Sequence, residues 1–290
     1  MNRPSFAVCS FRFFWLLGPI IRERRPTNAL SPTAYPFAAL QGKPRLKRNV
    51  MRDKETQMDR LVDKLNHISE SVRIEDFEWE IPSNCPIEIP LSLSSGYEKN
   101  VYLKNHFHEH ISNDEDLSSH YWVIQEWGGI GSFKKNERND RRINKFIQEL
   151  LKEKLTKDSF SCISSLSKVA SFIEPEKYVI YDSRVIYSLN WLLFNLTDEQ
   201  SLFPQPAGRS ASLAKYDMQT IFRLTKREVT YRSHKVAFHE YCSLVRMLAP
   251  LVFGKGVEPY KLEMLLFMIA PTWVVNNIES SVSIEISSFA

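Results

Sequence analysis

Two ionisable side chains, Lys168 and Asp182, stand fourteen residues apart in the stretch FSCISSLSKVASFIEPEKYVIYDSRVIYSLNWLLF, residues 160–194. A lysine amine becomes a nucleophile only where desolvation or a neighbouring cation lowers its pKa. Two packed helices can bring this pair together despite the separation. On spacing alone the same residues also fit a solvated lysine on a helix and a plain N-cap aspartate.

The elements that must position them are legible around them. Ile163, Leu166, Val169, Ala170 and Ile173 recur at helical spacing, and Lys168 lies within that helix. Pro175 ends it, because the residue before a proline is pushed out of the α region. Glu174-Pro175-Glu176-Lys177 reads as a turn, and the β-prone, apolar Tyr178-Val179-Ile180-Tyr181 reads as an extended run through the core. Asp182 then opens a helix marked by Val185, Ile186, Leu189, Leu192 and Leu193, where its carboxylate can accept otherwise orphaned backbone N–H groups.

The segment SLSKVASFIEPEKYVIYDSRV, residues 165–185, resembles the helix-hairpin-helix base-excision DNA glycosylase superfamily, in particular its branches without an iron–sulfur cluster, similar to 8-oxoguanine glycosylase. The resemblance implies a mostly α fold in which Lys168 is the amine nucleophile. It would attack the sugar C1′ and form a Schiff base with the deoxyribose, while Asp182 stabilises the cationic sugar and assists deprotonation. The target base would be flipped into a pocket. Where the family hairpin carries a Gly-x-Gly turn whose amides grip phosphate, this chain has Ile163-Ser164-Ser165-Leu166-Ser167. Ser165 and Ser167 are therefore expected to offer hydroxyls and amides to a phosphate. The interval from lysine to aspartate is shorter than usual in the family.

Other residues extend this expectation. Lys134, Lys135, Arg138, Arg141, Arg142 and Lys145 form a basic helix face suited to phosphates or to solvent, and Arg184 lies just inside the helix that Asp182 opens. Trp122, Trp127 and Phe133 are candidates to stack on a flipped base, with the core as the alternative. Trp127-Gly128-Gly129-Ile130-Gly131-Ser132 precedes the basic helix and is a candidate anion nest at its N-terminus, or else a flexible turn. His106, His108 and His110 would face one side only if that segment were extended. Glu263, within the apolar run LEMLLFMIA, needs a buried base or backbone group as its partner.

Composition bounds these readings. Glycine is scarce, 9 in 290 residues, which argues against glycine-rich nucleotide loops and turn-rich β-sandwiches. Cys9, Cys85, Cys162 and Cys242 are too scattered for a zinc or iron–sulfur site, and Cys162 and Cys242 read as free, buried thiols of a reducing compartment. No metal or cofactor is expected. The net charge of +4 arises in residues 1–50, which hold nine Lys or Arg against one acid, so the body is net acidic and its basic character is local. Residues 1–50 read as a disordered basic leader, an organelle presequence or an extension upstream of the true start, and 51–290 as a single mostly helical domain with 134–200 as its candidate active-site core.

A helix is expected around Met58, Leu61, Leu65 and Ile68, and extended edge segments over 77–92. Further helices are expected over Ser233–Leu248 and Tyr260–Ala270, the last stopped by Pro271. Phe11–Ile21 is too short to span a bilayer, so no membrane partner is expected. The free cysteines fit an intracellular site, cytoplasmic, nucleoid or nuclear. The leading expectation is a DNA glycosylase/lyase-like protein with DNA as its partner. The alternatives are a non-catalytic DNA binder of the same fold, such as a genome-defence protein, and a helical interaction module.

Overall fold

The computed structural model describes residues 44–225 and 227–283, with side chains from residue 56 onward. The chain is mostly helical. In order, the α-helices are α1 (Pro44–Ser71), α2 (Gly96–His106), α3 (His108–Ser112), α4 (Ser118–Trp122), α5 (Glu137–Leu150), α6 (Lys157–Ser161) and α7 (Ile163–Ile173). They continue with α8 (Ser183–Leu196), α9 (Ala211–Ala214), α10 (Met218–Leu224), α11 (Ala237–Phe253), α12 (Tyr260–Ile269) and α13 (Val275–Ser281). Two π-helical turns, Val123–Trp127 and Ala270–Val274, extend α4 and join α12 to α13. Among the described residues the only sheet pairs β1 (Ser201–Leu202) with β2 (Thr230–Tyr231) in parallel. No helix among the described residues is long and apolar enough to cross a membrane.

The core is built as the helical spacing requires. Leu61, Leu65 and Ile68 of α1 are fully buried, as are Ile143 and Phe146 of α5 and Leu166, Val169 and Phe172 of α7. Helix α8 buries an almost continuous run from Val185 to Phe194 and packs along α12. Local signals set the boundaries. Ser95 and Glu98 form a capping box on α2, and Asn136, Thr156, Asp182 and Asp217 cap α5, α6, α8 and α10 through side-chain acceptors.

Several expectations are corrected. Residues 77–92 pair with no strand; Pro82, Pro86 and Pro90 remove N–H donors, and the segment runs irregularly over the core with the Trp79 indole donating to the Trp127 carbonyl at 2.8 Å. Residues 44–50 belong to α1, so the helix begins inside the expected leader, whose residues 1–43 lie outside the described part. Pro271 does not end the apolar run. The chain re-registers through the π-turn, and the Thr272 hydroxyl donates to the Met268 carbonyl at 3.3 Å. The three histidines lie on α2 and α3 and are exposed; a helical segment does not put alternate residues on one side, and the described residues hold no cluster fit for a metal.

Candidate functional site

Lys168 and Asp182 line one cleft of about 840 Å³. The route from sequence to this geometry is short. Thr156 starts α6, Cys162 breaks it, and α7 begins at the next residue. Helix α7 ends at Ile173 ahead of Pro175, and the buried run Tyr178–Tyr181 carries the chain through the core. That run is pinned on both sides. Ile180 N–H donates to Glu263 Oε2 (2.8 Å), Tyr181 N–H to Ser167 Oγ (2.9 Å), and the Tyr241 hydroxyl to the Ile180 carbonyl (2.8 Å). Asp182 emerges at the cleft, where its Oδ1 accepts the N–H groups of Arg184 and Val185 at 2.9 and 3.0 Å. Both bonds use one oxygen, which leaves the other as the one available to the cleft.

Lys168 is only 6% exposed, and its Nζ donates to the Ser164 carbonyl at 2.8 Å, one turn back on its own helix. Burial pushes its pKa down; the charges of Asp182 and Glu263 oppose that, and Arg209 adds to it. Its stem lies against Gly128. A Cβ there would come within 2.6 Å of Lys168 Cδ and 2.7 Å of the Ile124 and Val123 carbonyls. The π-turn creates this approach, since Gly128 N–H bonds back to Val123 O and Ile130 N–H to Ile124 O. These bonds consume amides of the glycine-rich segment, and α5 opens only after Asn136. The segment therefore walls the lysine, and it does not stand at the N-terminus of α5.

A second buried lysine backs the first. Lys104 of α2 is 1% exposed and donates to Ser171 Oγ at 2.7 Å, with its Nζ 4.4 Å from the Phe172 ring centroid and 5.4 Å from that of Trp127. Burial brings its pKa down to about 8, against the pull of Glu263 and with the push of Lys168. Glu263 has the backbone partner that its apolar surroundings demand, Ile180 N–H; burial raises its pKa and the charge of Lys104 opposes the rise.

The remaining expected residues divide between cleft, core and surface. Phe133, Arg142, Ser165 and Arg184 line the cleft. Trp122 and Trp127 do not; they are core residues whose indoles donate to Asn84 Oδ1 and Asn100 Oδ1, so stacking on a base is closed to them. Ser167 is fully buried and occupied by Tyr181 N–H, so it offers nothing to a phosphate. Lys134, Lys135, Arg138 and Arg141 are exposed, with Lys135 paired to Asp116 at 3.8 Å and Arg141 to Glu137 at 3.5 Å. Arg142 turns inward to Asp158 at 2.9 Å. Cys242 is a buried thiol pushed up to about 12 by desolvation, whereas Cys162 is half-buried at the α6–α7 break and lines the cleft.

Sequence reasoning passed over Trp79, Phe160, Phe267, Gln205 and Arg209 in the cleft wall, and Lys104 behind it. Arg184 lies over the Phe267 ring at 4.6 Å, and Arg209 donates to the Gly129 carbonyl at 2.8 Å. Lys104 had a signal: it follows Asn100 by four residues and precedes Phe107 by three, which is inner-face spacing. The loop residues Gln205 and Arg209 had none. The chain matches no protein-family model, no curated protein and no solved structure.

Proposed function

We propose that the chain is a helix-hairpin-helix glycosylase-like protein that acts on a flipped nucleotide in DNA. The observation that carries the reading is the shared cleft: a desolvated lysine amine and a helix-capping carboxylate meet in one concave site beside Arg142, Arg184 and Arg209. Arginines on the rim suit a phosphodiester, and Phe133 and Phe160 offer apolar surface to a base.

The chemistry follows from the two groups. The neutral Lys168 amine uses its lone pair to form a bond to C1′ as the glycosidic bond breaks. The base leaves with the electron pair of the glycosidic bond and takes a proton from water. Asp182 accepts one proton from the attached nitrogen and passes it to O4′ when the sugar ring opens, leaving an iminium at C1′ with one N–H. Before attack the carboxylate steadies positive charge on the sugar.

Sodium borohydride reduction tests this on an abasic duplex. The wild-type chain is expected to form a covalent adduct that Lys168→Met does not. No adduct, together with no base release from a broad panel of damaged duplexes, would sink the lyase reading. One observation favours a non-catalytic DNA binder of the same fold: Lys168 Nζ donates to the Ser164 carbonyl, from which it must turn to reach a sugar. Salt-dependent duplex binding without trapping is the outcome that selects it.

A further inference from the structure

The loop that follows β1 lines the cleft with every residue from Gln205 to Arg209. It is tied at both ends. Gln205 Nε2 donates to the carbonyl of Ser183, the neighbour of Asp182, at 2.7 Å. Arg209 Nη2 donates to the carbonyl of Gly129 at 2.8 Å, and the preceding Gly128 is the residue against which the Lys168 stem lies. The loop is therefore a strap between the neighbours of the two reactive groups, and Lys168 is only 6% exposed beside it.

The chain is fixed just upstream, where the Tyr181 hydroxyl donates to the Pro204 carbonyl at 2.8 Å. Beyond that point little holds the strap. Among the described residues no backbone-to-backbone hydrogen bond is made by 205–209, and Pro206 has no N–H to give. Gln205 Oε1 is buried and accepts no hydrogen bond among the described residues, a cost that swinging out to water removes. Gln205, Pro206 and Gly208 also line a second concavity of about 320 Å³, so open space borders the strap beyond the cleft. The closed position depends on glycine as well. A Cβ on Gly208 would come within 2.4 Å of Ser183 Oγ and 2.6 Å of Ser183 Cβ.

We propose that 205–209 is a gate over Lys168 and Asp182, latched by Arg209 and opened by a phosphate oxyanion that takes the Arg209 guanidinium from the Gly129 carbonyl. The latch is built for exchange. Arg142 is engaged by the Asp158 carboxylate at 2.9 Å, whereas the partner of Arg209 is a neutral carbonyl. A phosphate offers the same N–H groups charge-assisted, two-pronged hydrogen bonds, which are stronger. That the oxyanion is a phosphodiester rests on the DNA reading; the gate itself does not.

The test is the rate at which formaldehyde and cyanoborohydride methylate Lys168 in the full chain, read by peptide mapping against the exposed Lys134. Arg209→Ala should raise this rate about tenfold, the worth of one hydrogen bond in a closing equilibrium. Loss of the Arg209 charge alone would slow the reaction, because that charge favours the neutral amine, so a faster rate reports access. Gly208→Ala should also raise it, and adding Ser183→Gly, which makes room for the new Cβ, should restore the wild-type rate. At constant ionic strength inorganic phosphate should speed methylation in the wild type and leave Arg209→Ala unmoved. Equal Lys168 rates in the wild type and the folded variants would overturn the gate. So would a wild-type rate that ignores phosphate, even if no variant folds. With abasic duplex, Arg209→Ala should need more duplex for half-maximal borohydride trapping; an unchanged requirement would confine the latch to free phosphate. Gated methylation with no trapping by the wild type would keep the strap and remove the nucleophile reading.

Discussion

Helix α5 and the α7–α8 junction use charge in opposite ways. On and just before α5, Lys134, Lys135, Arg138 and Arg141 point to solvent, and the pairs they make, Lys135–Asp116 and Arg141–Glu137, are exposed and screened. At the junction few charges are present, but Lys104, Lys168 and Glu263 are almost wholly removed from water and Asp182 borders them. A dense run of basic residues therefore marks a solvated face, whereas three sparse buried charges, on α2, α7 and α12, mark the place where protonation states are set by the fold. Charge density in a sequence is thus a poor guide to where electrostatics carries energy; burial decides it.

The contrast can be broken at the junction first. Glu263→Ala is expected to cost about 3–5 kcal/mol in urea unfolding, since it leaves buried lysine charge unbalanced and Ile180 N–H without its acceptor. A loss comparable to that of a surface mutant would erase the distinction between the regions.

The next effect is a dependence on pH. Lys104 is held down to about 8 against an ordinary value of 10.5, first by burial. Between these values the unfolded chain binds the proton and the folded chain does not, so the lysine's contribution to stability rises with pH across this window and is lost as pH falls through about 8. Relative to Lys104→Met, the wild type should gain about 3 kcal/mol over the window. The buried tyrosines titrate alike in both proteins and cancel in the difference. A flat difference would show that Lys104 is not desolvated.

Asp182 separates its two tasks at smaller cost. Asp182→Ala should lose about 1 kcal/mol through the cap of α8, while Asp182→Asn should keep the cap and stay within a few tenths of wild type. Both should lose most of the borohydride trapping, because both remove the carboxylate charge. Trapping retained in Asp182→Asn would reduce the residue to a cap.

The smallest effect belongs to the α5 face. Lys134→Ala with Arg138→Ala should leave the urea midpoint in place, and should lower the salt slope of duplex binding by roughly one for each phosphate no longer neutralised. An unchanged slope would remove this face from any DNA interface.

Much of the framework was legible because helices announce themselves by period. The inner faces of α5, α7 and α8, the turn at Pro175 and the cap at Asp182 could all be read from residue type and spacing. What period does not carry is direction in space. Trp122 and Trp127 look like stacking residues in sequence, yet α4 and the π-turn that follows it bury them in the core, and the turn offers Gly128 to the lysine. Phe160 and Phe267 reach the cleft from α6 and α12, which no local rule connects. Alternation over 77–92 suggested extended edge segments, but pairing at an edge needs donors, and three prolines withhold them. Glu263 could be read as needing a partner; that the partner is Ile180 N–H follows only from the packing of α12.

The central claim is that Lys168, and no other amine, is the reactive group. Its most direct test is a peptide map of the wild-type chain after borohydride reduction on an abasic duplex. A single modified peptide, with the deoxyribose remnant on Lys168, is the predicted result. Modification of exposed lysines such as Lys134 without Lys168, or no modified peptide at all, would contradict it.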